Sequence, residues 1–214
     1  MNTMHLLPRE ALIVTGPLDH ADWNFRPLLG RIQRKRFQLA VGLLPHVGAG
    51  RLLEIGYGSG VFMPELARRC GELHGVDIHH SEAAVTALLH ARGIEAELRC
   101  ASVERLPYGR GFFDQVIAIS SLEFVHDLDA SCREIVRVLS PGGRLVVVTP
   151  GASVVVDLGL KVLAGTSASA DYDGRRGALM ATLKRHFDIE RCVDVPRLGD
   201  VFRLYRGMRL RPQA

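Results

Sequence analysis

Between Leu52 and Gly60 the chain reads LLEIGYGSG, and this short passage constrains the fold more than any other. An apolar run ends at Glu54. Gly56, Gly58 and Gly60 then alternate with Tyr57 and Ser59, and from Val61 apolar residues recur at helical spacing. The order is strand, glycine turn, helix. Glycine is required where the backbone takes positive φ or where a ligand touches the main chain, because a Cβ would fill that space. An acid, Asp77, closes the next apolar run. A carboxylate about twenty residues past such a turn is the usual acceptor for a ribose diol, so the pair predicts a nucleoside-bearing ligand.

Around this motif, apolar runs recur at Arg51–Ile55, Leu73–Ile78, Glu95–Cys100, Asp114–Ser120 and Arg144–Thr149. Helix-period stretches at Val61–Cys70, Ser81–Arg92 and Leu128–Leu139 separate most of them, with Ser81 as a candidate N-cap and the Pro-Gly-Gly after Ser140 as a stop. Strands that alternate with helices pair in parallel through right-handed crossovers, which predicts an α/β, Rossmann-like, doubly wound sheet. Ligands of such sheets bind at the carboxyl ends of the strands, where Glu54, Asp77, Ser102 and Ser120 fall. Further on, Arg175–His186 reads as a helix, and FDIERCVDV from Phe187 and VFRLYRGM from Val201 read as two late strands. No linker or repeat divides the 214 residues, 47% of them hydrophobic, so one domain is expected. Within it, residues 1–45 form an N-terminal arm and helix over the site, and residues 46–214 form the core.

Gly-x-Gly turns serve both nicotinamide dinucleotides and S-adenosylmethionine. The dinucleotide fingerprint needs a Gly or Ala three residues after the second glycine, and here that position is Val61. Glu54, two residues before the first glycine, would repel a pyrophosphate but suits a ligand carrying an ammonium and a sulfonium. The residues therefore favour S-adenosylmethionine, with an NAD(P)-dependent oxidoreductase as the rival reading.

The stretches LLEIGYGSGVFMPELA, GVDIHHSEAAVTAL and SVERLPYGRGFFDQVIAISSLEFVHDLDASCREIVRVLSPGGRLVVVTPG together resemble a class I S-adenosylmethionine-dependent methyltransferase. The resemblance is to the small-molecule branch that includes the ubiquinone and menaquinone enzymes, and it runs from about Arg51 to Gly151. It implies a seven-stranded, mostly parallel sheet with one late antiparallel strand, and methyl transfer to an O, N or C atom of a small acceptor. A cofactor-binding module without turnover is the alternative.

The resemblance also implies roles. Gly56, Gly58 and Gly60 cradle the methionine part of the cofactor, with Glu54 beneath them and Asp77 taking both ribose hydroxyls. Ile78 and Val103 sandwich the adenine or serve as core. Ser102 stands where the family usually has an Asp for the adenine amino group, and its hydroxyl can accept one bond without the strength of an ionised acceptor. In SSLEFVHD, Glu123 and Phe124 replace a histidine pair of the family. Glu123 and His126 are candidates for orienting or deprotonating an acceptor, or are polar residues of a helix start. Trp23 and Phe25 wall an acceptor pocket or pack as a satellite core. Tyr57 faces cofactor or acceptor.

Bulk properties exclude several classes. Cys70, Cys100, Cys132 and Cys192 form no C-x-x-C, so their spacing suggests neither a zinc site nor a redox motif, and no metal is expected. Scattered thiols fit a reducing cytoplasm. The start of the chain lacks the basic and apolar regions of an export signal. The segment from Ala152 to Ala164 contains Asp157 and Lys161 and is too short to span a bilayer. A net charge of +4 with three lysines leaves Arg31, Arg34, Lys35 and Arg36 as the one dense basic cluster. It reads as the solvated face of a helix from about Pro27 to Leu44, because no interleaved aromatic series or nucleic-acid motif accompanies it.

Overall fold

A computed structural model describes residues 4–16, 19–27, 29–45, 49–151, 171–195 and 204–213. Helix α1 (Leu29–Leu43) precedes β1 (Ala49–Ile55), α2 (Met63–Ala67), β2 (Cys70–Asp77), α3 (Glu82–His90) and β3 (Glu97–Cys100). β4 (Phe113–Ile119), α4 (Leu128–Val138), β5 (Leu139–Pro150), α5 (Asp171–His186), β6 (Phe187–Val195) and β7 (Tyr205–Pro212) follow. The seven strands form one sheet in the order β3-β2-β1-β4-β5-β7-β6. β7 alone runs against its neighbours, pairing antiparallel with both β5 and β6. This is the doubly wound, mostly parallel sheet that the element order predicts.

Period-two alternation sends the strand side chains to two apolar layers. Leu53, Val116, Ala118, Leu145 and Val147 face α4 and α5, where Cys132, Ile135, Val138, Leu179 and Leu183 meet them. Leu52, Ile117, Ile119, Val146 and Val148 face the other way, toward Phe37, Ala40 and Leu43 of α1, Met63 and Leu66 of α2, and Val85 and Leu89 of α3. Strands covered on both faces read as unbroken apolar runs, which is why VIAI and LVVV stand out in the sequence. Each fully buried Leu, Ile or Val in these layers contributes about 1.5–3 kcal/mol of burial.

Several boundaries differ from the sequence reading. The helix expected over Val61–Cys70 shrinks to Met63–Ala67. The Gly60 N–H closes a turn on the Tyr57 carbonyl at 2.8 Å, and Pro64, which cannot donate, sits in the first helical turn. At the other end the Arg69 N–H bonds the Leu66 carbonyl, releasing Cys70 into β2. β3 starts at Glu97 rather than Glu95. The Pro-Gly-Gly does stop α4, but the chain enters β5 at once: Leu139 pairs with Phe113, an irregularity takes up the intervening residues, and Arg144 pairs with Gln115. Ser81 occupies the N-cap position of α3 without capping it, while His79 Nδ1 accepts the Ser81 N–H at 3.1 Å. The apolar segment from Ala152 to Ala164 lies outside the described residues. Among the described residues no helix is long and apolar enough to cross a membrane.

Candidate active site

The sheet order reverses between β1 and β4, which both leave from the middle of the sheet to opposite sides. At such a switch point the loops diverge and open a crevice above the carboxyl ends of the strands. The glycine turn after β1 forms one wall. Gly56, Gly58 and Gly60 all adopt left-handed φ, at 77°, 52° and 71°. The Gly56 N–H bonds the Val76 carbonyl at 2.8 Å, tying the turn to the end of β2. A Cβ on Gly56 would lie 2.5 Å from Cβ of Ser121, which itself donates to the Ile55 carbonyl at 2.9 Å.

Asp77 joins the two halves of the motif. Its Oδ2 accepts the Gly58 N–H at 2.8 Å and its Oδ1 accepts the Ile78 N–H at 2.7 Å. An ionised carboxylate has about four lone-pair sites, so each oxygen keeps one for a ligand. His79 completes the corner, with Nε2 3.0 Å from the Gly58 carbonyl oxygen. Ile78 beside it is 76% exposed, unusual for so large an apolar side chain. Ser120, at the end of β4, is the one described non-glycine residue with positive φ, at 53°, and its hydroxyl is buried without a hydrogen-bond partner. Strain of this kind persists where the surroundings enforce it, which is typical of ligand-binding positions.

Beneath the turn lies a buried polar group that the sequence reading only half anticipated. Glu54 is 4% exposed, and its Oε2 has no hydrogen-bond partner among the described residues. Burial, helped by the charge of Asp77 and opposed by Arg36, raises its carboxyl to about 8. Arg36 is not part of the solvated basic face. Arg31, Arg34 and Lys35 are exposed, whereas Arg36 turns inward, where burial lowers its pKa and Tyr205, Glu54, Asp19 and Glu123 push it back up. Its position was legible: Leu29, Gln33, Arg36, Ala40 and Leu43 follow the spacing of one helical face, and the other four are buried.

The remaining expected residues are dispersed. Tyr57 is 3% exposed and lies in the apolar layer beneath the turn, its ring edge-on to His79. The tight fit around Gly75, where an added Cβ would stand 2.8 Å from the Tyr57 ring, holds it there. Val103 belongs to the layer under α4, on the core side of the reading. The Ser102 hydroxyl accepts the Glu104 N–H at 3.2 Å and so caps the short turn Val103–Arg105. Glu123 is buried in the turn Leu122–Phe124, while His126 is exposed just before α4. Trp23 stacks on His20, with ring centroids 4.2 Å apart, and Phe25 packs half-buried against the α1 side of the core.

Asp19 was missed altogether. Its carboxylate caps the arm by accepting the Thr15 hydroxyl and the Ala21 N–H, and it is the nearest group to the open side of Gly58, 3.8 Å from an added Cβ. A lone Asp in an N-terminal loop carries no sequence signal for that placement. The arm is also held to the turn directly, through the Leu7 N–H to the Val61 carbonyl at 3.1 Å and the His5 N–H to Glu65 at 2.9 Å.

Comparison with known proteins shows what the arrangement is similar to. Residues 53–147 match the model described as a methyltransferase domain. The chain is 33% identical over 117 residues to the ubiquinone biosynthesis O-methyltransferase of Bradyrhizobium diazoefficiens, covering 54% of this chain and 46% of that one. It is 31% identical over 108 residues to the biotin biosynthesis bifunctional protein BioHC of Cellvibrio japonicus, covering 50% of this chain and 21% of that protein. The chain spans between 21% and 52% of the length of the curated relatives it matches. Among solved structures it is similar to geranyl diphosphate C-methyltransferase from Streptomyces coelicolor, crystallised with Mg2+, geranyl diphosphate and S-adenosyl-L-homocysteine. That match has a TM-score of 0.67 at 16% identity and covers 100% of this chain and 91% of the other, a likeness of fold. The matched segment and the strand order around it make the chain similar to methyltransferase domains, with the likeness to solved structures one of fold.

Proposed function

We propose that the protein transfers the methyl group of S-adenosylmethionine to an O, N or C atom of a small-molecule acceptor, with Asp77, the glycine turn, Glu54 and Arg36 holding the cofactor. The observation that carries this reading is the 2.8 Å bond between the Gly58 N–H and Asp77, which aims a carboxylate along the face of a turn free of side chains. The donor set fits the cofactor's chemistry. Asp77 keeps acceptor capacity for a ribose diol, Ile78 offers an exposed apolar surface to a purine, and Glu54 offers an unpartnered acceptor to an ammonium. Arg36 Nε is buried without a hydrogen-bond partner among the described residues and complements a carboxylate.

When bound, S-adenosylmethionine supplies an electrophilic methyl whose leaving group departs as a neutral thioether. The chain's own task is alignment and exclusion of water, and well-oriented reactants gain about 7–11 kcal/mol from it. Glu123, buried in the turn after β4, orients an acceptor hydroxyl or takes its proton. His126 serves at the exposed rim, and Ser120 lines the crevice with its free hydroxyl. Ser102, already accepting one bond as a cap, keeps its proton and a second lone pair for the purine. Trp23 and Phe25 wall the acceptor side, and residues 1–45 close over the turn that Leu7 and Asp19 already touch. A cytoplasmic location is part of the proposal, supported by four free cysteines.

The test is incubation of the purified protein with isotopically labelled S-adenosylmethionine and a metabolite extract, followed by mass spectrometry. A labelled small molecule and stoichiometric S-adenosylhomocysteine are expected. Tight cofactor binding without any labelled product would favour a binding module instead.

A proton linkage follows from Glu54. With its pKa near 8 it holds a proton in the free protein at neutral pH, and a cofactor ammonium beside it would draw the pKa down. Binding of S-adenosylhomocysteine near pH 7 is expected to release about one proton, so affinity rises with pH toward about 8 and then levels off. Calorimetry in buffers of different ionisation enthalpy reads this directly, and Glu54→Gln should abolish the buffer dependence. A wild-type heat that does not depend on buffer would separate Glu54 from the ammonium.

A further inference from the structure

We propose that His80, Glu82 and Cys100 bind a divalent metal ion of the zinc class. His80 lies in the loop after β2, Glu82 opens α3 and Cys100 closes β3, so three successive parts of the fold converge at the edge of the nucleoside crevice. Their donor atoms all lie within 4.8 Å of one another, and Cys100 Sγ is 3.3 Å from His80 Nδ1. A sulfur about 2.3 Å and a nitrogen about 2.0–2.1 Å from one tetrahedral zinc stand about 3.6 Å apart, so this pair needs to open by only a few tenths of an ångström.

The chemistry of the trio selects the ion. Thiolate, imidazole and carboxylate together suit zinc and its neighbours, whereas magnesium and calcium take oxygen ligands. Glu82 Oε2 is buried and has no hydrogen-bond partner among the described residues, so its charge is left for something the fold does not itself supply. The local field agrees: burial, then the charges of Asp77 and Glu82, push the nearby Tyr57 phenol up. Negative potential at this corner favours a cation. His80 is exposed, so an ion reaches the site from solvent and keeps water in its fourth position.

Binding forms one metal–sulfur bond and releases the Cys100 thiol proton to solvent, with no change of oxidation state. The ion would staple the loop that follows Asp77 to the end of β3. Spacing along the chain could not reveal this trio, because Cys100 lies eighteen residues after Glu82 and has no second cysteine nearby.

The test is titration of the chelator-treated full chain with Co2+, read by the thiolate-to-cobalt charge-transfer band, followed by Zn2+ to displace the colour. One equivalent of Co2+ is expected per chain, and the band should vanish in Cys100→Ser while persisting in Cys70→Ser and Cys192→Ser. His80→Ala and Glu82→Gln should each weaken Co2+ by more than the roughly 10–100-fold that loss of an outer-shell partner costs. Absence of the band in the wild type, its survival in Cys100→Ser, or unaltered affinity in both His80→Ala and Glu82→Gln would overturn the proposal. No arm requires S-adenosylmethionine, so the result stands apart from the methyl-transfer reading.

Discussion

Replacing Asp77 by alanine is expected to weaken S-adenosylhomocysteine binding by about 100- to 1,000-fold, or about 3–4 kcal/mol, measured by calorimetry. Two charge-assisted hydrogen bonds to a ribose diol account for that range, at about 1.5–3 kcal/mol each before compensation by water. The same substitution removes the acceptor of the Gly58 N–H, so the turn loses its anchor as well as the ligand. Asp77→Asn keeps one acceptor oxygen without the charge and should fall between, near tenfold. Equal affinity in wild type and Asp77→Ala would remove this carboxylate from the binding site, whatever the rest of the crevice does.

The second large effect is on stability. Gly56→Ala must place a side chain at φ 77° and bring its Cβ to 2.5 Å from Cβ of Ser121. Left-handed backbone costs an L-residue about 1–2 kcal/mol, and overpacking adds about 1–3 kcal/mol. A loss of about 3 kcal/mol is expected, lowering the melting temperature by roughly 6–12 °C in a domain of this size. Gly58→Ala provides the contrast. Its φ of 52° carries the backbone cost, but the nearest atom to an added Cβ is 3.8 Å away, on Asp19. It should lower the melting temperature by only about 2–8 °C and yet bind the cofactor worse, because the methyl group stands in the ligand's space. Equal melting temperatures for the two variants would contradict the close approach of Ser121 to the turn.

Much of this molecule was legible in the amino acids because its central strands are covered on both faces. Val116–Ile119 and Leu145–Val148 had to be continuous apolar runs, and Leu52–Ile55 is one broken only by Glu54, a pattern that is hard to mistake. The glycine turn and Asp77 were legible for a different reason: the chemistry fixes residue types at a fixed separation. What escaped depends on partners supplied by distant segments. Arg36 sits in a run of exposed basic residues, and only Glu54, Asp19, Glu123 and Tyr205, from four other segments, mark it as turned inward. Its place on the buried stripe of α1 was readable, but a charge run invites a solvent-facing assignment. The cap role of Ser102 was hidden because the backbone N–H that it accepts, two residues on, belongs to a turn too short for periodicity to register. The burial of Tyr57 was hidden because turns are usually exposed, whereas the absence of a side chain at Gly75 makes room for its ring beneath.

The position of β7 between β5 and β6 bears on the order in which the molecule assembles. β6 has no ladder with the parallel strands and meets the sheet only through β7, which is synthesised after it. A nascent chain can therefore register β1 to β5 while β6 stays unpaired, and one later hairpin must insert to join both edges together. Until that insertion the β5 edge, rich in valine, stays open to any passing strand. Misassembly of this protein should accordingly begin at β5, and a ribosome pause just before Tyr205 would lengthen the interval in which it can happen.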